Sequence, residues 1–211
     1  MRNLTPALIL LLAISFLFTG CIQTDRYVVE PQPPHPPAFQ YGFEEEFTHD
    51  VRGWAFDDQF DSAYALVQNG LYKFVDYSWT GGYHIASVPT GIPVHRDFLI
   101  ETRFRSDNAM ALVFGASVSD YGYSIFIDDQ GYYALYKEGL YPEALIDWEF
   151  TEAIRVGNND LELEQSGSHW YGYINGIQVF RLPARQLSGN ETGFMVLAGT
   201  TGYADFLRAK W

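Results

Sequence analysis

Five side chains in one short stretch have the makings of a binding surface. Glu162, Glu164, Tyr171, Tyr173 and Gln178 all fall within ELEQSGSHWYGYINGIQVF, residues 162–180. Tyrosine rings stack on the apolar faces of pyranose rings, and carboxylates and amides take up the hydroxyls. On one strand face, carboxylates two residues apart sit about 7 Å from each other by strand rise. Such a pair also fits the two carboxyl groups of a glycosidase, and it fits a plain solvated strand face. A second aromatic group, Trp79 and Tyr83, stands in Tyr77-Ser78-Trp79-Thr80-Gly81-Gly82-Tyr83. A glycine-flanked aromatic loop has little core to fill. Gly53-Trp54, by contrast, reads as a plug closing one end of the fold.

The remaining polar clusters read as structure. Asp128-Asp129 before Gly131, and Asn158-Asn159-Asp160, offer oxygens, but calcium takes six to eight of them. Turn chemistry explains both runs. His49, His84, His95 and His169 are scattered, with no pair at metal-ligand spacing. Glu101 and Arg103 are expected to pair on a strand surface, an interaction worth little. The chain has no Gly-x-Ser-x-Gly nucleophile turn, no phosphate loop and no dinucleotide fingerprint. No metal and no cofactor is implied.

Hairpins must position these residues. Asn175-Gly176 and Asn69-Gly70 are two-residue turn signals, because both residues accept positive φ, and Gly167-Ser168 has the chemistry of a II′ turn. Alternation around the two later turns lays three strands side by side. Leu161, Leu163, Trp170, Gly172, Ile174, Ile177 and Val179 then fall on a core face. Glu162, Glu164, Tyr171, Tyr173, Gln178 and Phe180 fall on an open face. The same reading along Tyr41–Trp211 predicts about twelve short strands separated by Gly, Asn and Asp, an all-β antiparallel sandwich. A helical turn is expected only at Pro183–Leu187.

The front of the chain has a different character. Residues 1–20 hold Arg2 and then a nearly unbroken apolar run from Leu4 to Phe18, about 15 residues and short for a membrane span of roughly 20. The run ends Leu17-Phe18-Thr19-Gly20-Cys21, which resembles the lipobox of bacterial lipoproteins. That resemblance implies that residues 1–20 are a signal peptide and that Cys21, the chain's one cysteine, is lipidated and becomes the mature N-terminus. Phe18 stands where the motif usually has an aliphatic residue, and Ile22 is not the aspartate that favours inner-membrane retention. Residues 21–40 then form a linker with five prolines between 31 and 37, which excludes helix and sheet. Extended at about 3.1 Å per residue, it reaches at most roughly 60 Å. The expected address is the cell envelope, held to a membrane by lipid with residues 41–211 outside the cytoplasm, on the outer membrane if the cell is Gram-negative.

Charge narrows the partners. The net charge is −13, and −14 once residues 1–20 with their lone Arg2 are removed. Such a chain repels nucleic-acid phosphates and anionic lipid head groups. With a single cysteine, no internal disulfide can form, so the fold stands on its core.

The order of features carries a wider resemblance. Gly53-Trp54, Asn69-Gly70-Leu71-Tyr72, Phe98-Leu99-Ile100-Glu101-Thr102-Arg103-Phe104 and Leu112-Val113-Phe114-Gly115 come first. They are followed by Tyr123-Ser124-Ile125-Phe126-Ile127, Gly131-Tyr132-Tyr133-Ala134-Leu135, Tyr173-Ile174-Asn175-Gly176 and Ala204-Asp205-Phe206. This succession, over about 43–208, resembles the concanavalin A-like jelly-roll superfamily. Within it, the succession is most similar to laminin-G-like and 3-keto-disaccharide hydrolase-type domains of bacterial lipoproteins. The resemblance implies a jelly roll and, for function, three alternatives. The first is a lipid-anchored module that binds carbohydrate or another envelope polymer without catalysis. The second is a protein-interaction or structural envelope domain with no small ligand. The third is a glycoside hydrolase, although the Glu-x-Asp-x-x-Glu pattern of family 16 glycosidases is absent and Glu143…Asp147…Glu149 has the wrong spacing. An aromatic-lined groove favours the first, and a flat polar face the second.

Overall fold

The computed structural model describes residues 39–211 apart from 61 and 80. The leader, Cys21 and the proline-rich stretch to residue 38 lie outside the described residues, and so does the expected lipid anchor. The described chain is all β, without helix. In order the strands are β1 (Tyr41–Glu45), β2 (Phe56–Asp58), β3 (Ala63–Gln68), β4 (Leu71–Asp76), β5 (Tyr83–Pro89), β6 (Phe98–Ser106), β7 (Ala109–Ala116) and β8 (Tyr123–Asp128). They continue with β9 (Tyr132–Lys137), β10 (Glu143–Phe150), β11 (Asn159–Ser166), β12 (His169–Ile174), β13 (Ile177–Pro183), β14 (Glu191–Leu197) and β15 (Thr201–Lys210). Fifteen strands replace the expected twelve. β2 is only three residues long. β5 places apolar residues on both faces, so neither shows the alternation that marks a strand in sequence.

Two antiparallel sheets pack as a jelly-roll sandwich. One runs β13-β12-β11-β6-β15-β4-β3-β2, with β1 beside β15; the other runs β10-β9-β8-β7-β14-β5. β15 takes two partners on one side: Thr201–Ala204 pair with β4, and Leu207–Lys210 with β1. The predicted turns have the predicted backbone: Asn175 and Gly176 lie at φ 52° and 78°, Asn69 and Gly70 at 56° and 74°. Between the sheets, Trp170 meets Phe114 and Tyr123 edge-on at 5.2 and 4.8 Å. Trp54 is buried against Tyr72 of β4 and Phe194 of β14, as the plug reading requires. The carboxylate of Glu45 accepts from Trp54 Nε1 at 3.1 Å and from the amide of Phe47 at 3.0 Å, which holds Phe47 at a positive φ of 51°.

Three details of the sequence reading need correction. In β13, Ile177 is exposed and Phe180 is buried, the reverse of the expected faces. A bulge between Gly172 and Tyr173 pairs Tyr173 with Gln178 but Gly172 with Phe180, so alternation is lost at Val179. Glycine is needed at 172 because the Phe180 ring fills the space a side chain would take. Residues 184–187 form no helical turn. Leu187 is buried against Gly115, and the Tyr123 hydroxyl donates to the Gln186 carbonyl at 3.0 Å, so tertiary anchors set the path. Finally, Glu101 and Arg103 do not pair. Arg103 grips Asp160 with two hydrogen bonds of 2.7 and 3.1 Å, and Lys210 lies 2.5 Å from Glu101. Cross-strand neighbours are closer than residues two apart along a strand.

Candidate functional site

The open face of β11–β13 collects the predicted residues in two cross-strand rows. Glu162 lies opposite Tyr173, which lies opposite Gln178; Glu164 lies opposite Tyr171, which lies opposite Arg181. The Arg181 guanidinium stands 5.6 Å from the centre of the Tyr171 ring. Sequence reasoning missed it, because the bulge alone brings Arg181 opposite Tyr171. Burial pushes the Glu162 carboxyl above its ordinary range, with Glu101 and Asp160 adding to the rise and Lys210 opposing it. Glu164 is raised by burial, then by Asp97 and Glu162. Both tyrosines are half-buried. The neighbouring strands carry the Arg103–Asp160 and Lys210–Glu101 pairs, while Glu162 and Glu164 have no ion pair among the described residues.

Trp79 and Tyr83 stand elsewhere. β5 ends the six-stranded sheet at the side opposite β10. The β9–β10 edge is tied to the β13 region, by Arg185 on Glu143 of β10 at 3.0 Å and by the Tyr133 hydroxyl of β9, which donates to the Val179 carbonyl at 3.0 Å. The two predicted groups therefore belong to opposite edges of the sandwich and do not form one site. The Asp128 and Asn159 side chains are absorbed by turns. Asp128 Oδ1 accepts the amides of Gln130 and Tyr132 at 2.9 and 2.7 Å, and Asn159 Oδ1 accepts the Arg155 amide at 2.8 Å.

The outer face of the six-stranded sheet is the unexpected feature. It is apolar: Ala111, Val113, Phe126, Ala134 and Met195 form a buried floor outside the main core. Trp148 packs on Phe126 at 5.7 Å from one side, while Tyr83 and Ile85 pack on the floor from the β5 side. Tyr121, from the loop after β7, meets Tyr83 edge-on at 6.4 Å and 84°. Burial raises the Tyr83 hydroxyl, helped by the charge of Glu138 and by Tyr121.

Two hollows share Tyr121. One, of about 540 Å³, is lined by Asp76, Ser78, Tyr83, His84 and Ile85 among others, the second, of about 450 Å³, by Asp120, Lys137, Glu138 and Tyr141. Fully exposed apolar side chains stand around both. Phe60 lines the first, and Trp79 adjoins it in the chain; Val118, Leu140 and Tyr141 line the second. Exposure is 99% for Phe60, 98% for Trp79 and 88% for Tyr141. In the first hollow Asp76 is buried and accepts from the Ser78 amide and hydroxyl at 2.8 and 2.6 Å, and its other oxygen lies 2.7 Å from His84 Nδ1. Burial works to raise the Asp76 carboxyl, but the hydrogen bonds from Ser78 and His84 outweigh it and hold the group below its ordinary range. An ionised Asp76 only accepts, so Nδ1 of His84 donates and a neutral ring keeps Nε2 as an acceptor. No signal in the sequence joins Asp76 to His84, or Tyr121 to Tyr83.

No protein-family model and no curated protein sequence matches this chain. Solved structures do share its fold. A carbohydrate-binding module, CBM66, from Bacillus subtilis superposes at a TM-score of 0.51 with 17% identity, covering 66% of this chain and 86% of that one. The CBM2 module of an evolved Dit protein from Lactobacillus casei BL23 phage J-1 gives 0.53 at 8% identity, over 82% and 96%. A GlcNAcα1-4Gal-releasing endo-β-galactosidase from Clostridium perfringens gives 0.51 at 11% identity, over 85% and 65%. The likeness is one of fold, shared by binding modules and a hydrolase alike.

Proposed function

We propose that this protein is a lipid-anchored envelope module that binds a carbohydrate chain without cleaving it, along the outer face of the six-stranded sheet and around its β5 edge. One observation carries the reading: exposed Phe60, Trp79, Leu140 and Tyr141 stand around two hollows joined through the Tyr83–Tyr121 pair. Large apolar side chains left in water around polar hollows mark a contact surface. Aromatic faces suit pyranose rings, while Asp120, Glu138 and His84 supply partners for hydroxyls. Two of the similar structures are named as carbohydrate-binding or CBM modules. Lipid on Cys21 and the proline-rich linker would hold this surface clear of the membrane.

A glycan array probed with the purified full chain tests the reading. Few stacked rings imply micromolar-to-millimolar affinity, about −8 to −4 kcal/mol. Trp79→Ala combined with Tyr141→Ala should abolish binding and leave the melting temperature unchanged, since neither ring is buried. Loss of binding in Tyr171→Ala/Tyr173→Ala instead would move the site to the nine-stranded sheet. A silent array would favour a protein-interaction or structural domain. Release of new reducing ends from a bound glycan would make the protein a hydrolase.

A further inference from the structure

The second hollow is lined by a carboxyl group that the fold holds through one oxygen and leaves open through the other. Glu138 follows β9 and is only 6% exposed. Its amide donates to the Gly122 carbonyl at 2.9 Å, and the Ser124 hydroxyl of β8 donates to Oε1. Oε2 has no hydrogen bond among the described residues, and no ion pair reaches the group. Arg185 is engaged by both oxygens of Glu143 at 3.0 Å. Burial pushes the Glu138 carboxyl up and the Ser124 hydrogen bond pulls it back, with no cation contributing. Its charge also raises the hydroxyls of Tyr83 and Tyr136, which pack against the apolar floor. Glu138 therefore acts on the outer face of the sheet, where the proposed ligand would lie.

Resting on the carbohydrate-binding reading, we infer that Glu138 selects the ligand: Oε2 takes a hydrogen bond from a sugar hydroxyl or ammonium, so the trough accepts neutral or amino sugars and rejects acidic ones. Oε2 is not among the buried atoms left without a partner, so it opens into the hollow it lines, where a ligand donor can take the place of solvent on it. A uronate or sulfate would instead stand beside an uncompensated carboxylate, with Asp120 lining the same hollow. Lys137 lines the hollow too, but does not offset Glu138.

Calorimetric titration of the purified full chain with laminarihexaose, a glucosamine hexamer and a galacturonate hexamer tests this. Wild type should bind at least one of the first two and not the third. Glu138→Gln, which keeps the shape and the Ser124 contact, should lower that affinity about tenfold, the loss expected for a hydrogen bond to a charged group. Glu138→Asp should recover part of it, with melting temperatures showing that both variants fold. Galacturonate bound as tightly as the others, or Glu138→Gln binding like wild type while Tyr121→Ala does not, overturns the selection by Glu138 alone. Should wild type bind none of the three and no glycan on the array, the carbohydrate reading itself falls and this inference with it.

Discussion

Glu138 and Asp76 sit under the two hollows with opposite titration. Burial raises Glu138, so its folded state binds a proton more readily than the unfolded chain does. Its contribution to stability is fully present below the ordinary glutamate range and is lost as pH rises through its raised value. Glu138→Gln should therefore be at least as stable as wild type at neutral pH, the advantage vanishing toward pH 4. Thermal melts at pH 4 and 7 would show it, and a lower melting temperature for the variant at pH 7 would refute it. Asp76 behaves in reverse. Its lowered value gives stability present above the ordinary aspartate range and lost as pH falls through the folded one. Asp76→Ala removes the acceptor for Ser78 and His84 and should cost about 1–3 kcal/mol at pH 7, measured by urea unfolding.

Strands, more than single residues, decide what could be read in advance. The β11–β12 hairpin was legible because one face is core and the other wet, and Leu161, Leu163, Trp170 and Ile174 are all buried as alternation requires. β13 was half legible: its turn is right, but a one-residue bulge turns Phe180 inward and Ile177 outward. Gly172 is the trace that the bulge leaves in the sequence, and it becomes readable only once Phe180 is seen over it. β5 escaped for another reason, and β7, though legible as a strand, shares the pattern. Their outer face is as apolar as their inner one, so period two disappears, and the apolar surface around the hollows disappears from view with it. Two substitutions test the elements. Ile174→Ala, fully buried, should cost about 2–5 kcal/mol. Gly172→Ala should displace Phe180 and destabilise the β12–β13 hairpin, seen as faster amide exchange in β13 than in β6.

At the scale of the molecule, the described fold starts before the first strand: the Gln40 carbonyl accepts the amide of Trp211 at 3.2 Å, so the two ends of the domain are tied together there. Among the described residues, the hydrogen-bonded ladders and the core lie between 41 and 211. On the proposed anatomy, residues 22–38 contribute reach and no stability, since five prolines remove the amide donors a sheet would need. Deleting 22–38 while keeping Phe39 and Gln40 should leave the melting temperature unchanged within error. A deletion reaching 40 should lower it by removing the acceptor for Trp211. Anchoring is a separate property. Cys21→Ser should leave fold and glycan affinity intact, yet shift the protein from the membrane fraction and abolish labelling with fatty acid. Two or three acyl chains hold a protein stably where one alone does not, so the variant should be released rather than weakened in its attachment. A Cys21→Ser protein that still labels and still sediments with membranes would mean that the apolar leader, not the cysteine, does the anchoring.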